Sequence, residues 1–501
     1  MRIVLFLFVA GISLFLLKSC SPEPDEQKLF TSMCGSCHQV VDPSLLPRAI
    51  WEKRVLPEMA ARMGIRAVDY NPANYLPPGE YELARAHGFY PEMPTVDRED
   101  WQTVRQYILD RAPDSLTLPP VGELAPLEGF VARPLSLDDR DGSLVTYIGK
   151  GEGGLNVGDG YGQLTRLAVN DRVDTLPGLR FPLVHFTASG TDSLLLEIGN
   201  IYPTEASNGK LYRLTDGNPE VVRDSLHRPV HHLQTDIDGD GQKEIVICEY
   251  GNYSGVLSIL DPDANGDYRY RRLTGTPGAT RVVADDLNGD GLRDLILLHA
   301  QGDEGIDVLY QQPDHTFERE SLLRFPAVYG TSWFDLVDID GDGDRDIITA
   351  HGDNADYSNI TKPYHGVRIY TNDGSNQFTE SFFQPLPGAT RVAARDFDGD
   401  GDVDIAVACN FADFGRQPDA SFVYLERRSP TLSFRAATTP MALDGRWLIL
   451  DTGDYDDDGD VDIALGSFTL NPAPVPDTLA RRWRQSRTDV LLLENTLEAT
   501  R

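Results

Sequence analysis

Three side chains within five residues can do chemistry together. Cys34, Cys37 and His38 lie in the run CGSCH at residues 34–38. Two thiols spaced by two residues serve a zinc knuckle, a redox dithiol or a covalent haem anchor. Zinc asks for about four ligands. The run supplies three, and no second cysteine pair follows it. A redox dithiol is expected in a strand–helix–strand setting, and the exported location that the N-terminus implies weakens that reading. Cysteine pairs followed directly by histidine bind haem: the thiols add to its vinyl groups from one helical turn, and the imidazole turns onto the iron. Cys34 and Cys37 are therefore read as haem anchors and His38 as an axial ligand.

A second constellation is acidic and repeated. DIDGDGQKEIVIC begins at Asp236, DLNGDGLRDLILL at Asp286, DIDGDGDRDIITA at Asp338, DFDGDGDVDIAVA at Asp396 and DYDDDGDVDIALG at Asp454. Positions 1, 3, 5 and 9 carry side-chain oxygens, and position 7 can offer a backbone carbonyl. The candidate ligands are Asp236, Asp238, Asp240 and Glu244; Asp286, Asn288, Asp290 and Asp294; and Asp338, Asp340, Asp342 and Asp346. They continue as Asp396, Asp398, Asp400 and Asp404, then Asp454, Asp456, Asp458 and Asp462. Glycines at positions 4 and 6 permit the tight turn that wraps such oxygens around one hard cation. An all-oxygen shell of six to eight ligands suits Ca²⁺; Mg²⁺ asks for a stricter octahedron. Asn288 keeps the oxygen but loses a charge, Glu244 lengthens the ninth position, and Asp457 stands where the other loops have glycine.

The elements around these residues follow from patterning. Before CGSCH, EQKLF reads as a first helix with Phe30 facing inward. TVDREDWQTVRQYILDRAP reads as a closing helix, capped by Thr95 or Asp97, with Trp101, Val104 and Ile108 on one stripe. An aromatic last helix crossing the first resembles the small c-type cytochromes. That resemblance implies a sulfur ligand opposite His38. Met93, in a Met-Pro just before the last helix, matches the usual placement; Met59, in LPEMAARMG, is the other candidate, with Met63 third and His87 an alternative base.

Beyond Pro119-Pro120 short apolar runs alternate with Gly/Asp turns, an all-β signature. The acidic segments recur at steps of 50, 52, 58 and 58 residues, about one four-stranded propeller blade. They resemble the FG-GAP or VCBS repeats of integrin-α-like β-propellers. The loops resemble an EF-hand for their first six positions and then diverge, because the ninth position leads straight into a strand and not a helix, which excludes dockerin-like pairs. SLVTYIGKGEGG and SLLLEIGNIYPTEASNGKLYRLTDG read as two blades without the acidic loop, which makes about seven in all. His231-His232, on the strand before the first acidic loop, reads as buried and structural. Cys248 and Cys409 close apolar strands and read as buried thiols, with a disulfide between them left open.

The expected fold is thus a small all-α cytochrome c domain followed by an all-β propeller. Residues 1–20 resemble a bacterial lipoprotein signal: Arg2, an apolar run over residues 3–17, then Leu17 and Ser19 before Cys20. Cys20 is the expected lipidated residue, 21–26 a tether, 27–115 the haem domain and 116–501 the calcium-binding propeller. The 78 acidic against 45 basic side chains give a net charge of −33, which disfavours nucleic acid as a partner. Heme c and Ca²⁺ are the expected cofactors. The expected role is one-electron transfer in the bacterial cell envelope, with a redox partner protein or surface ligand docked on the propeller. Two alternatives stay open: a haem-linked oxidoreductase whose propeller funnel oxidises a small substrate, and an adhesive module at the cell surface.

Overall fold

The computed structural model describes residues 25–496, apart from 68, 152, 169–171, 177, 189–192, 216, 264, 356–357, 429–430 and 471–474. The expected signal, its lipidation site Cys20 and the start of the tether lie outside the described residues. No described helix is long and apolar enough to cross a membrane.

Seven antiparallel sheets follow one another along the chain, each with four strands of a blade. Blades 1 to 6 begin at Val145, Leu183, Pro229, Ala279, Thr331 and Arg391. Blade 7 takes three strands from the C-terminal part, Trp447–Gly453, Asp462–Ser467 and Val490–Asn495. Its fourth strand, Phe130–Leu135, comes from the start of the propeller and pairs antiparallel with Val490–Asn495. First and last segments therefore close the ring and leave no open sheet at its seam. A two-residue strand, Ala125–Pro126, adds in parallel to the edge of blade 6.

The second strand of each acidic blade is buried on both faces, between its neighbours. EIVICE, DLILLH, DIITAH, DIAVA and DIALGS are buried at every residue. That is why these strands read as continuous apolar runs. Burying one such Ile, Leu or Val contributes about 1.5–3 kcal/mol. Cys248 and Cys409 sit on or just past two of these strands as free, fully buried thiols, and no disulfide joins them.

The helical part precedes the ring. Helix α1 spans Asp25–Cys34, and α2 (Arg48–Ile50) runs through a π-turn segment, Trp51–Val55, into α3 (Leu56–Arg62). Helices α4 (Glu80–Ala86) and α5 (Arg98–Arg111) follow. Asp97, not Thr95, caps α5: its carboxylate accepts from the N–H of Glu99 at 2.7 Å and of Asp100 at 3.4 Å. Trp101, Val104, Tyr107 and Ile108 are buried. Phe30 of α1 stacks on Tyr107 of α5 with ring centroids 5.0 Å apart, so the first and last helices meet as expected.

This helical part sits on the ring through several blades. The Tyr364 hydroxyl donates to the carbonyl of Leu45 at 2.9 Å. The Tyr90 and Tyr253 hydroxyls lie 3.3 Å apart. Glu80 accepts from the Thr204 hydroxyl and from the N–H of Glu205. Tyr364, Tyr253 and Thr204 all lie between second and third strands of their blades. In an antiparallel blade those loops share one face of the ring, and the turns between first and second strands share the other. The helices occupy the first face; the acidic loops point from the opposite one.

Candidate functional site

CGSCH lies at the C-terminal end of α1. The Gly35 N–H donates to the carbonyl of Thr31 at 3.0 Å, and the Ser36 hydroxyl to that of Met33 at 2.8 Å, so the helical turn continues past Cys34. Cys34, like Leu29, Met33, Val40, Met59 and Met63, is partly buried against the helical core; Cys37 is exposed, and both thiols are free. Burial, then the neighbouring Cys37, pushes the Cys34 thiol up to about 11. A protonated thiol is a poor redox nucleophile, which weakens the dithiol alternative.

His38 is held in one tautomer. Its Nδ1 lies 2.8 Å from the carbonyl oxygen of Gln39. A carbonyl only accepts, so Nδ1 carries the proton and Nε2 of the neutral ring keeps its lone pair for a metal. The sulfur candidates separate spatially. Met59 and Met63 are partly buried against the helical core, whereas Met93 is 75% exposed. The Met93 backbone is nonetheless tied to that region. Gly64 has φ +72°, and a β-carbon there would meet the Met93 carbonyl oxygen at 2.3 Å. His87 is held by its own helix, its Nδ1 2.9 Å from the carbonyl of Leu83.

Three of the acidic loops share one frame. The first carboxylate accepts from the N–H groups of positions 4 and 6: Gly239 and Gly241 reach Asp236 at 2.8 and 3.1 Å. Gly341 and Gly343 reach Asp338 at 2.7 and 3.0 Å, and Gly399 and Gly401 reach Asp396 at 2.8 and 3.0 Å. In the last loop Asp457 takes the position-4 conformation at φ +61° without glycine's freedom.

Four groups of carboxylates converge with ligand oxygens within 4.8 Å of one another. They are Asp236 with Asp238 and Glu244, Asp338 with Asp340 and Asp346, Asp396 with Asp398 and Asp400, and Asp454 with Asp456 and Asp458. In the second loop Asn288 accepts from the N–H of Asp290 at 3.0 Å, and its amide donates to the Asp290 carboxylate at 3.1 Å. Asp286 accepts from Gly291 at 2.8 Å and from Asp290 at 3.0 Å, so that loop keeps the position-6 bond, takes its other from position 5, and has one charge fewer.

The ninth position does something the spacing alone does not disclose. Its carboxylate is buried and ties the loop to the blade. Asp346 accepts from Ile339 in the loop and from Asn372 at the end of the third strand, both at 2.9 Å. Asp294 does the same with Leu287 and Gln311, and Asp462 with Tyr455 and Asn495. Asp404 takes the Tyr424 hydroxyl at 2.6 Å and the N–H of Arg427 at 2.8 Å. Burial pushes the Asp404 carboxyl up to about 7 and those of Asp346 and Asp462 up to about 6, and neighbouring loop carboxylates add to each rise. The sequence signal for this second role is that position 9 is also the first residue of a fully buried strand.

Residues 236–297, 286–349, 352–407 and 396–465 match the FG-GAP-like repeat family. The five acidic loops and the second strands they open lie within, or reach the end of, these matched segments. The matched FG-GAP-like segments begin with the first acidic loop, and the two blades before it lie outside them. No curated protein matches the chain. A crystal structure titled as a putative 6-phosphogluconolactonase from Bacteroides fragilis is similar over 59% of this chain and 84% of its own. At 12% identity and a TM-score of 0.40, that likeness says nothing of function.

Proposed function

We propose that the chain is a lipid-tethered monohaem c-type cytochrome of the bacterial cell envelope, fused to a calcium-binding FG-GAP-like propeller that docks a redox partner or surface ligand. The observation that carries this reading is the state of CGSCH. Two free thiols sit one turn apart at the end of a helix that crosses the closing helix, and His38 keeps Nε2 available. These residues fit a covalently held haem. Cys34 and Cys37 would hold it by thioether bonds, His38 would ligate its iron, and Leu29, Val40 and the partly buried methionines would line its face. Bound there, the group supplies one-electron transfer.

Met59 is favoured over Met93 as the second ligand, because its side chain packs with the helical core and that of Met93 does not. Methionine ligation raises the reduction potential relative to bis-histidine.

Calcium is the proposed occupant of the acidic loops. Converging carboxylates on glycine-framed turns repel one another until a cation neutralises them. Calcium would stiffen the face of the ring opposite the helices. The adhesive reading rests on the FG-GAP-like match alone.

Acid-acetone extraction of protein made in a host that matures c-type haem tests the central proposal. Haem that stays with the chain supports it. Haem that extracts fully, or Cys34→Ser/Cys37→Ser protein that retains haem equally, would refute it.

A further inference from the structure

The innermost strands bring together a group of side chains outside both sites. The third residue of the first strand is Tyr147 in blade 1, His185 in blade 2, His231 in blade 3, Arg281 in blade 4 and Trp333 in blade 5. Arg391 opens the strand of blade 6 and follows the same Ala-Thr that precedes Arg281. In blades 1 to 5 the third residue follows a register shift in its pairing with the second strand. Such a bulge re-aims a side chain.

These residues meet across the ring. The His185 and His231 rings are 4.6 Å apart, and His231 of blade 3 meets Trp333 of blade 5 edge-on at 6.4 Å, past the intervening blade. The Arg281 and Arg391 guanidinium carbons lie 4.1 and 3.6 Å from the centre of the Trp333 ring. A guanidinium stacked by its face keeps its N–H edge free for an oxyanion.

The local charge is not balanced from within. Arg281 lies 3.6 Å from Asp335, beyond hydrogen-bond reach, and its Nε has no partner among the described residues. Asp335 already accepts from Arg395 at 2.9 Å and from the Ala394 N–H at 3.1 Å. Asp451, the other carboxylate acting on the pair, accepts from the Tyr455 hydroxyl at 2.8 Å. No ion pair holds Arg391 among the described residues. His231 is 9% exposed, and its Nδ1 has no partner there. Desolvation, then repulsion from Arg281, drives the Arg391 guanidinium down to about 9. Arg281 shares Asp335 with Arg395 without a hydrogen bond of its own, and Arg391 has no ion pair among the described residues; burying such weakly compensated cations is costly unless something negative is bound beside them.

We infer that the central channel binds a small oxyanion, a carboxylate or a phosphate group, on the guanidinium edges of Arg281 and Arg391 beside Trp333 and His231. The first strands start on the helical face of the ring, so this layer of side chains lies nearer the helices than the acidic loops.

Calorimetric titration of the full chain in excess calcium tests this, with succinate and phenyl phosphate as probes at ionic strength matched by chloride. We expect 1:1 binding of at least one probe, weakened tenfold or more in Arg391→Gln and unchanged in Arg487→Gln on the outer surface. Succinate alone identifies a carboxylate site, phenyl phosphate alone a phosphate site, and both a general oxyanion site. Trp333→Phe gives an independent readout: the probe should change tryptophan emission in the unaltered chain and not in this variant. Binding of neither probe, or equal binding to Arg391→Gln, overturns the inference.

Discussion

Asp404 and Asp400 belong to the same acidic loop and have different duties. Asp400 groups with Asp396 and Asp398, while Asp404 is buried under the Tyr424 hydroxyl and the Arg427 N–H. Asp404→Ala removes both acceptor oxygens and leaves the Tyr424 hydroxyl and the Arg427 N–H without their partner. It is expected to cost about 1–3 kcal/mol with or without calcium. Asp400→Asn is expected to cost less than about 1 kcal/mol in chelator and to reduce only the calcium-dependent part. Denaturant titration in calcium and in chelator checks both; equal losses in both conditions for both variants would contradict the division. The methionines separate at the same scale. The far-red sulfur-to-iron band of the ferric protein is expected to disappear in Met59→Leu and persist in Met93→Leu.

Inner strands carry the next prediction. His232 is 1% exposed, 3.1 Å from His185 Nδ1 and 2.9 Å from the Thr187 hydroxyl. Desolvation holds its imidazole down to about 3, below its ordinary 6.5. Desolvation, then His232, His231, Arg281 and Arg391, press the adjoining His185 the same way. A base with a lowered folded pKa is neutral in the fold and protonated in the unfolded chain. Its contribution is therefore complete above pH 6.5 and declines as pH falls toward 3. In excess calcium, unfolding free energy should drop by about 2 kcal/mol per such histidine between pH 7 and 5. His232→Asn should flatten that slope by one proton; an unchanged slope would show that His232 does not titrate on unfolding.

Much at this scale is legible in the sequence. The acidic turns announce themselves because one loop chemistry recurs at near-blade spacing, and the buried second strands because they are continuously apolar. The two blades before Asp236 lack that loop and are visible only through their strand runs. The channel layer is harder to see: His231, Arg281 and Trp333 share only a position in their strands, and bulges, not simple alternation, aim them. Met93 matched a family placement, yet spacing carries no information on which of two methionines faces inward.

For the whole molecule, closure is the least legible feature. Phe130–Leu135 pairs with Val490–Asn495 some 360 residues later, and nothing local marks either strand as the other's partner. A propeller beginning at residue 136 should lose this strand and expose the apolar edge of Val490–Asn495. We expect it to elute as aggregate in size-exclusion chromatography, whereas a chain beginning at residue 116 elutes as a folded monomer or defined oligomer. Equal behaviour of the two would mean the seam contributes little. The seating of the helices on blades 2, 3 and 5 is equally long-range, made by Glu80, Tyr90 and Leu45 against loops that differ from blade to blade.

The most direct test is the absorption spectrum of the full chain from a haem-maturing host, recorded ferric and then reduced, after acid-acetone extraction. Retained haem with the weak far-red band is the predicted result, and makes Cys34, Cys37 and His38 the anchor of a methionine-ligated electron carrier. A colourless chain with two titratable thiols at Cys34 and Cys37 would contradict the account at its centre, leaving a propeller with acidic loops and a helical cap.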